Sequence, residues 1–413
     1  MPLATPRSPL SPEATEVLAA LPRAVGPRGA LSRRRLLGGA ALAAGGVLLG
    51  GCGTPGTRQA AGECVSEDRS AAERTVAFSN WPLYIDADEK RPGRRPTLDR
   101  FTAETGIAVT YTEDINDNDE FFGKLRPQLA DCRPTDRDII TMSDWMVARL
   151  VRLGWLQKLD RAALPTVEQN LLPSLRQRSW DPTGEYAVPW QAGLAGIAWN
   201  AKVTKEVRTV GELLTRPDLK GRVTMLTELR DTMGLLLFDS GYDPADFTEA
   251  QFDAALERLA EAVASGQIRR FTGNDYASEL AKGDIAACLA WSGDVLQLNL
   301  ADRRVRFVAP AAGAILFSDN MVVPNGAAHR ANAQRLMDYY YRPEVAAELA
   351  ASVNYICPVQ GAQEELRKRD AGLAAHPLIF PDAATLGRAR EFMTLTEEQE
   401  RAYSRKFQKV IGA

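Results

Sequence analysis

A chain of 413 residues with 50 basic and 53 acidic side chains carries a formal net charge of −3. This mildly acidic balance, without long basic runs, argues against nucleic acid as a partner and suits a cationic ligand. The roughly 360 residues that follow Cys52 are enough to form two lobes, each with a core of its own.

The front of the chain has the composition of an export signal, which we predict over residues 1–51. Ser-Arg-Arg-Arg-Leu-Leu at 32–37 resembles a twin-arginine signal, and the uncharged stretch 36–51 is shorter than the roughly 20 residues that span a bilayer. Leu-Gly-Gly-Cys, ending at Cys52, resembles a lipobox with a lipidated cysteine. We expect an exported lipoprotein on the outer face of the cytoplasmic membrane, or in the periplasm, with 52–74 as a flexible tether. A plain secretory signal cleaved nearby is the alternative.

Strands and helices alternate in the part of the chain that follows. Short apolar runs at 75–78, 107–111 and 138–142 predict strands, and the segments after Pro96 and at 121–129 predict helices. This order implies a largely parallel, doubly wound sheet. In such sheets ligands bind beyond the carboxyl ends of the strands.

Aromatic side chains follow the first and third of these strands. Trp81 and Tyr84 come directly after the first strand, and Ser143 and Trp145 come directly after the third. We expect these residues to lie together at the edge of the sheet where ligands bind.

The second half of the chain repeats this organisation. A predicted strand at 223–226 leads into Glu228 and Asp231, and a predicted strand at 285–290 leads into Trp291. Carboxylates and an aromatic ring are therefore expected at the corresponding edge of a second sheet.

A carboxylate interrupts the apolar run 315–324, which ends in the turn Pro-Asn-Gly. A short apolar run closed by such a turn predicts a buried strand. An ionised Asp319 is costly there unless something pairs with it. Asp319 is either a strand-end residue bonded to backbone groups or, with Phe317 beside it, part of a ligand site.

The cysteines leave the disulfide pattern open. In an exported chain, the four that follow Cys52 allow two disulfides in three connectivities. We expect Cys288 to pair with Cys357, and free buried thiols are an equally open alternative. The other two are Cys64 and Cys132.

The sequence contains no recognisable metal-binding or catalytic motif. The two histidines lie far apart beside turn residues, and no spacing matches a nucleophile, nucleotide or zinc motif. Residues 114–119 begin like a calcium loop, but Asp119 stands where glycine is required and Leu125 where a bidentate Glu is needed. We predict no metal, no cofactor and no catalytic residue, with an exported hydrolase as the alternative because carboxylates are plentiful.

The joint placement of aromatic rings and carboxylates at strand ends indicates the ligand chemistry. Aromatic faces attract cations and pack on methylene chains, and carboxylates bind ammonium groups through charge-assisted hydrogen bonds. Each aromatic taken singly is compatible with core packing. Together they favour a flexible polyamine, which is cationic at its nitrogens and apolar between them.

From about Val76 to its C-terminus the chain resembles the periplasmic spermidine/putrescine-binding proteins of polyamine ABC importers. No single segment carries the resemblance, which lies in the order and spacing of several. These segments are 78–85, 223–231, 283–293, 317–324, 342–346 and 355–358.

The resemblance implies an α/β, two-lobed periplasmic-binding-protein fold (type II-like), in which each lobe is a mostly parallel sheet flanked by helices. It implies a monomer that binds a polyamine between the lobes, has no catalytic step and delivers its ligand to an ABC permease. From the crossovers between lobes we expect 75–193 and 319–363 in the first lobe, and 194–318 and 364–413 in the second.

The resemblance also implies roles for individual residues. Glu228 and Asp231 match the acids that meet one amine end, Asp319 matches the acid that holds another ammonium, and Trp291 matches the tryptophan on the methylene chain. The complete set of expected ligand contacts is Trp81, Tyr84, Ser143, Trp145, Glu228, Asp231, Trp291, Phe317, Asp319 and Tyr355.

Two departures from the family leave the number of bound amines open. Pro82 and Leu83 stand where the better known members have Thr and Glu, and no glutamine used by some members is found around Glu391 and Phe392. Spermidine, putrescine and other cationic solutes all remain possible ligands. A sugar, a neutral amine or an iron complex on the same fold is the further alternative.

Overall fold

The computed structural model describes residues 64, 67–88, 90–91, 93–176, 178 and 180–412. The predicted export signal, its twin-arginine motif, the lipobox with Cys52 and most of the predicted tether lie outside these residues.

The six strands predicted from the sequence begin within two residues of their predicted positions. The described residues contain ten strands, which are β1 (Thr75–Asn80), β2 (Ala108–Glu113), β3 (Ile139–Ser143), β4 (Ala187–Asn200), β5 (Val223–Leu226), β6 (Ile268–Thr272), β7 (Ala287–Trp291), β8 (Val305–Val308), β9 (Ala314–Val322) and β10 (Ala389–Arg390).

Helices separate most of these strands. Those of the described residues are α1 (Pro96–Thr105), α2 (Asn118–Ala130), α3 (Asp144–Arg152), α4 (Pro165–Asn170), α5 (Val210–Thr215), α6 (Leu229–Asp239), α7 (Glu249–Ala264), α8 (Tyr276–Lys282), α9 (Ser292–Ala301), α10 (Arg330–Tyr339), α11 (Pro343–Val353), α12 (Ala362–Arg369), α13 (Ala371–Ala374), α14 (Ala383–Gly387) and α15 (Glu397–Ile411). Among them, none is both long and apolar enough to cross a bilayer.

Local sequence signals set several helix ends. α1 starts with Pro96 in its first turn and stops at Gly106, whose φ of 69° is left-handed. α7 and α15 each begin with a capping box, formed by Thr248 with Gln251 and by Thr396 with Gln399.

Two long strands join the parallel parts of the sheet. β1 pairs in parallel with β2 and β3, and β5 pairs in parallel with β6 and β7. β4 and β9 run antiparallel to each other, and each also pairs antiparallel with one parallel part, β9 with β3 and β4 with β7. The predicted parallel strands are present, and the crossing strands link them into one mixed sheet.

Asp319 lies inside this sheet. It is in register with Ser143 of β3 on one side and with Gln191 of β4 on the other. The predicted buried strand with a carboxylate in it is therefore present. Asp319 itself is only 5% exposed.

Buried side chains form two main hydrophobic cores. The first draws mostly on residues 76–190 and 321–379, and the second on 195–315 and 395–407. A small cluster that includes Leu194 of β4 and Ala314 of β9 is separate from both. The predicted lobe boundaries stay predictions.

The cysteines pair differently from our expectation. Cys64 and Cys132 form a disulfide, with 5.2 Å between their Cα atoms, whereas Cys288 and Cys357 are free and buried. The expected Cys288–Cys357 bond is wrong because the two thiols lie in different cores. Burial raises the pKa of both, that of Cys357 to about 12, so they stay protonated and unreactive.

Candidate functional site

A cavity of about 430 Å³ is lined by both halves of the chain. Its walls come from residues that follow β1, β3, β5 and β7, from β9, and from the segment before α15. All ten residues expected to contact the ligand line this cavity.

Asp319 is held by hydroxyl groups from the loop after β1 and from the last residue of β3. Tyr84 Oη donates to its Oδ2 at 2.9 Å, and Ser143 Oγ donates to its Oδ1 at 2.6 Å. Burial raises the pKa of Asp319 to about 6, although both hydrogen bonds oppose the rise. The carboxyl thus has two neutral donors in a desolvated position, where a cation would be strongly stabilised.

Asp231 lies in the first turn of α6 and contacts the indole of Trp291. Trp291 Nε1 donates to its Oδ2 at 2.7 Å. Burial raises the pKa of Asp231 to about 7, and the negative charge of Asp319 adds to this rise. Asp319 is therefore close enough to Asp231 to disfavour its ionisation.

A third carboxyl, Asp294, was not among the expected contacts. It accepts hydrogen bonds from Tyr355 Oη at 2.6 Å, Tyr276 Oη at 2.9 Å and Asn274 Nδ2 at 3.1 Å. Burial raises its pKa, and these donors oppose the rise. Asp294 therefore orients Tyr355 within the cavity wall.

Aromatic rings surround these carboxyls. The ring centroids of Tyr84 and Tyr355 are 4.9 Å apart, those of Tyr355 and Phe317 are 6.3 Å apart, and those of Phe317 and Trp291 are 6.5 Å apart. The rings of each pair meet edge to face. This wall offers aromatic surface to the methylene groups of an elongated ligand.

Glu228 and Trp145 contact a cation of the chain itself. The guanidinium carbon of Arg230 lies 3.7 Å from the centroid of the Trp145 ring. Nη1 of Arg230 lies 3.7 Å from Glu228 Oε1, and its Nη2 lies 3.0 Å from Glu400 Oε1. Burial raises the pKa of Glu228 to about 8, and the positive charge of Arg230 opposes this rise.

Arg178 brings a second cation into the wall. Its Nη1 lies 3.4 Å from Asp144 Oδ2 and 2.7 Å from Glu391 Oε1. Asn320 Nδ2 donates to Asp144 Oδ1 at 2.7 Å. Burial raises the pKa of Asp144 to about 7.

Within the part of the chain that the structure describes, no group of three or more His, Cys, Asp or Glu side chains is placed to hold a metal ion.

Several lining residues were missed from the sequence, and only some had a usable signal. Asp144 stands between two expected contacts, and Asp294 follows Trp291 by three positions, so the strand-end rule that selected their neighbours could have selected them. Residues 391–395 and Glu400 also line the cavity. Their segment carries no strand-end signal, although the family resemblance had pointed to the positions around Glu391 and Phe392.

Comparison with known proteins gives concordant results. The model of the bacterial extracellular solute-binding protein family matches residues 97–381. The chain is 25% identical over 338 residues to the spermidine/putrescine-binding periplasmic protein of Salmonella typhimurium, covering 81% of this chain and 91% of that protein. It is 28% identical over 341 residues to the putrescine-binding periplasmic protein PotF of Escherichia coli, covering 76% and 85%.

A solved structure supports the same fold. The putative spermidine/putrescine ABC transporter from Listeria monocytogenes superposes with a TM-score of 0.70 and 26% sequence identity, covering 82% of this chain and 99% of that one. The predicted two-lobed periplasmic-binding-protein fold is therefore confirmed.

Gly293 is required where Tyr355 packs against the start of α9. A Cβ atom at Gly293 would overlap the Tyr355 ring. We expect Gly293→Ala to lower the free energy of unfolding by about 1–3 kcal/mol, because overpacking displaces the ring. Denaturant unfolding measures the loss, and near-ultraviolet circular dichroism reports the aromatic rearrangement.

Gly123 in α2 supplies the control, since a Cβ there meets nothing within 4 Å. Gly123→Ala should leave stability unchanged or raise it by up to about 1 kcal/mol. If Gly293→Ala unfolds at the same denaturant concentration as the unsubstituted protein, the Tyr355 ring does not pack closely against Gly293.

Proposed function

This chain belongs to the bacterial extracellular solute-binding protein family, and we propose that it captures a linear polyamine of the spermidine and putrescine class. One observation carries the proposal. Asp231 and Asp319 are buried and Asp294 is half-buried in one aromatic cavity, and within the described residues none of them has an arginine, lysine or histidine partner at ion-pair distance.

Polyamine chemistry matches this cavity. Each ammonium group supplies several N–H donors and a positive charge to a desolvated carboxylate. The methylene groups between the nitrogens pack on aromatic faces, which also attract the cation. The relatives are named for spermidine and putrescine binding, which agrees with this chemistry.

The ligand contacts follow from the same cavity. We propose that Asp319, with Tyr84 and Ser143, holds one ammonium, and that Asp231 holds another. The remaining proposed contacts are Trp81, Trp145, Glu228, Trp291, Phe317 and Tyr355.

We propose that the ligand is enclosed by hinge motion between two lobes, as in other proteins of this fold. The first lobe would comprise 75–193 and 319–363, and the second 194–318 and 364–413. Thr227 Oγ1 donates to Asp117 Oδ2 at 3.0 Å, across this proposed boundary. Such contacts would form as the lobes close.

The work of the protein would be capture and delivery. The relatives are solute-binding proteins, and we propose that this chain likewise has no catalytic step and, as a monomer, passes its ligand to an ABC permease. An exported position agrees with the periplasmic relatives, and we propose that a lipid on Cys52 anchors the protein to the membrane.

Replacing Asp319 should weaken ligand capture. Asp319→Asn keeps the shape but removes the charge, and we expect binding of putrescine and spermidine to weaken by about 30-fold or more, as for the loss of a buried charge partner. Isothermal titration calorimetry measures the change. Asp136→Asn is the matched control, because Asp136 is exposed and its φ of 58° suits asparagine. Unchanged affinity in Asp319→Asn would contradict the proposal.

Affinity should depend on pH through the buried carboxyls. The pKa of Asp319 is raised to about 6 and that of Asp231 to about 7, so both are protonated and neutral at pH values below these. Because ammonium binding needs the ionised forms, affinity should fall as pH is lowered from about 8.5 to about 5.5, by up to about tenfold per unit for each proton involved.

Calorimetry in buffers of different ionisation enthalpy tests the same point, since binding near neutral pH should release protons. The ligand nitrogens, with amine pKa values near that of lysine, stay charged throughout this range. A constant affinity over the whole range would count against carboxylate pairing.

The proposed anchor is tested by Cys52→Ser. The natural chain should incorporate an alkyne fatty acid and fractionate with membranes, and the variant should do neither. Arg33→Lys with Arg34→Lys separates the two signals, since this pair should impair export without removing the acceptor cysteine. A fatty-acid label that persists in Cys52→Ser would exclude this position.

A further inference from the structure

The helices α3 and α15 pack into different hydrophobic cores. Met146 and Leu150 of α3 belong to the first core, whereas Tyr403 and Phe407 of α15 belong to the second. Among the described residues, every hydrogen bond and ion pair between these two helices ends on the carboxylate of Glu400. A single side chain therefore makes the polar connection between them.

Glu400 is buried and ionised. Its Oε1 lies 2.9 Å from Arg149 Nη2, its Oε2 lies 2.8 Å from Arg152 Nη2, and its side chain is 8% exposed. Burial acts to raise the pKa of Glu400, but the positive charges of Arg149 and Arg230 outweigh it and hold the pKa below its ordinary value. Unlike Asp231 and Asp319, this carboxylate is already paired with cations of the chain.

The partners of these charges would allow the two helices to separate. Glu400 Oε1 also lies 3.0 Å from Nη2 of Arg230, on α6, whose buried side chains belong to the second core like those of α15. Arg149 Nη1 lies 2.7 Å from Oδ1 of Asp119, on α2, which packs into the first core. If α3 and α15 move apart, Glu400 and Arg149 each keep a partner on their own side, so neither charge is left unpaired.

Both helices also carry a part of the cavity wall. α3 directly follows Ser143, whose hydroxyl donates to Asp319, and its first turn contains Trp145. Residues 391–395 line the cavity and lead into α15. A contact that fixes α3 to α15 therefore fixes two walls of the cavity relative to each other.

We propose that Glu400, Arg149 and Arg152 form a latch that holds the cavity closed around its ligand and limits the rate at which the ligand leaves. This inference rests on the proposed function and on the lobe closure proposed with it. The ion pairs of the latch form as α3 and α15 approach, and they must separate before these walls can move apart. Because the latch exists only in the closed form, it slows dissociation and has little influence on association.

Glu400→Gln tests the latch, because it keeps the shape of the side chain and removes the charge. The arginines around position 400 then face one another without an anion, and their repulsion favours the open form. We expect the bound amine to dissociate at least about tenfold faster, with an association rate that changes by less than about threefold. Release of labelled putrescine or spermidine into an excess of unlabelled amine measures dissociation, and the calorimetric affinity then gives the association rate.

Glu398→Gln is the matched control. Glu398 is exposed in the first turn of α15, so this variant removes the same charge from the same helix, and both rates should stay unchanged. Arg152→Gln weakens the latch from the side of α3 and should speed dissociation by about threefold, since Arg149 remains. In the double variant of Glu400→Gln and Arg152→Gln, dissociation should be no faster than in Glu400→Gln alone, because both changes act on one contact.

The outcomes separate the latch from the proposed function. A folded Glu400→Gln that releases its amine at the natural rate, or that loses affinity through slower association, overturns the latch and leaves polyamine capture intact. If Glu400→Gln does not fold, Arg152→Gln decides, and release at the natural rate in that variant overturns the latch. If the natural chain binds neither putrescine nor spermidine, the proposed function fails and the latch fails with it.

Discussion

The properties of the cavity depend on the cost of burying several carboxylates in one place. Hydrogen bonds from hydroxyl and indole groups partly offset the free-energy cost of desolvating Asp231, Asp294 and Asp319, but they supply no positive charge. Such a group of acids is satisfied either by taking up protons or by receiving a cation from outside. The raised pKa values and the proposed affinity for amines are therefore two results of the same arrangement.

Two crossing strands make this arrangement possible. β4 and β9 pair with each other and each with one parallel part of the sheet, so Asp319 stands where both halves of the chain meet. Its donors come from the loop after β1 and from the end of β3, while Asp231 and Trp291 come from the other half. A carboxylate in a buried strand is unusual in a purely structural role, and its position between the halves gives it access to the cavity.

Much of the site was predictable because it follows one rule of α/β sheets, that ligands bind beyond the carboxyl ends of strands. All ten expected residues line the cavity. β4 was not predicted, because Pro189, Gly193 and Gly196 are signals against a strand. In the fold, Gly193 is packed against Phe317 and Gly196 against Phe307, contacts that no local pattern contains. The Cys64–Cys132 pairing likewise depends on segments 68 residues apart in sequence.

That disulfide also has a mechanical consequence. Cys64 precedes β1, and Cys132 follows α2. A pulling force applied to the chain before Cys64 is therefore transmitted through the disulfide bond directly to Cys132. Traction would pass to the loop beyond α2 and bypass residues 68–70, which bond to the start of α10, and β1 behind them, with its hydrogen bonds to β2 and β3. The sheet next to the cavity would thus be shielded from strain that arrives along the N-terminal segment.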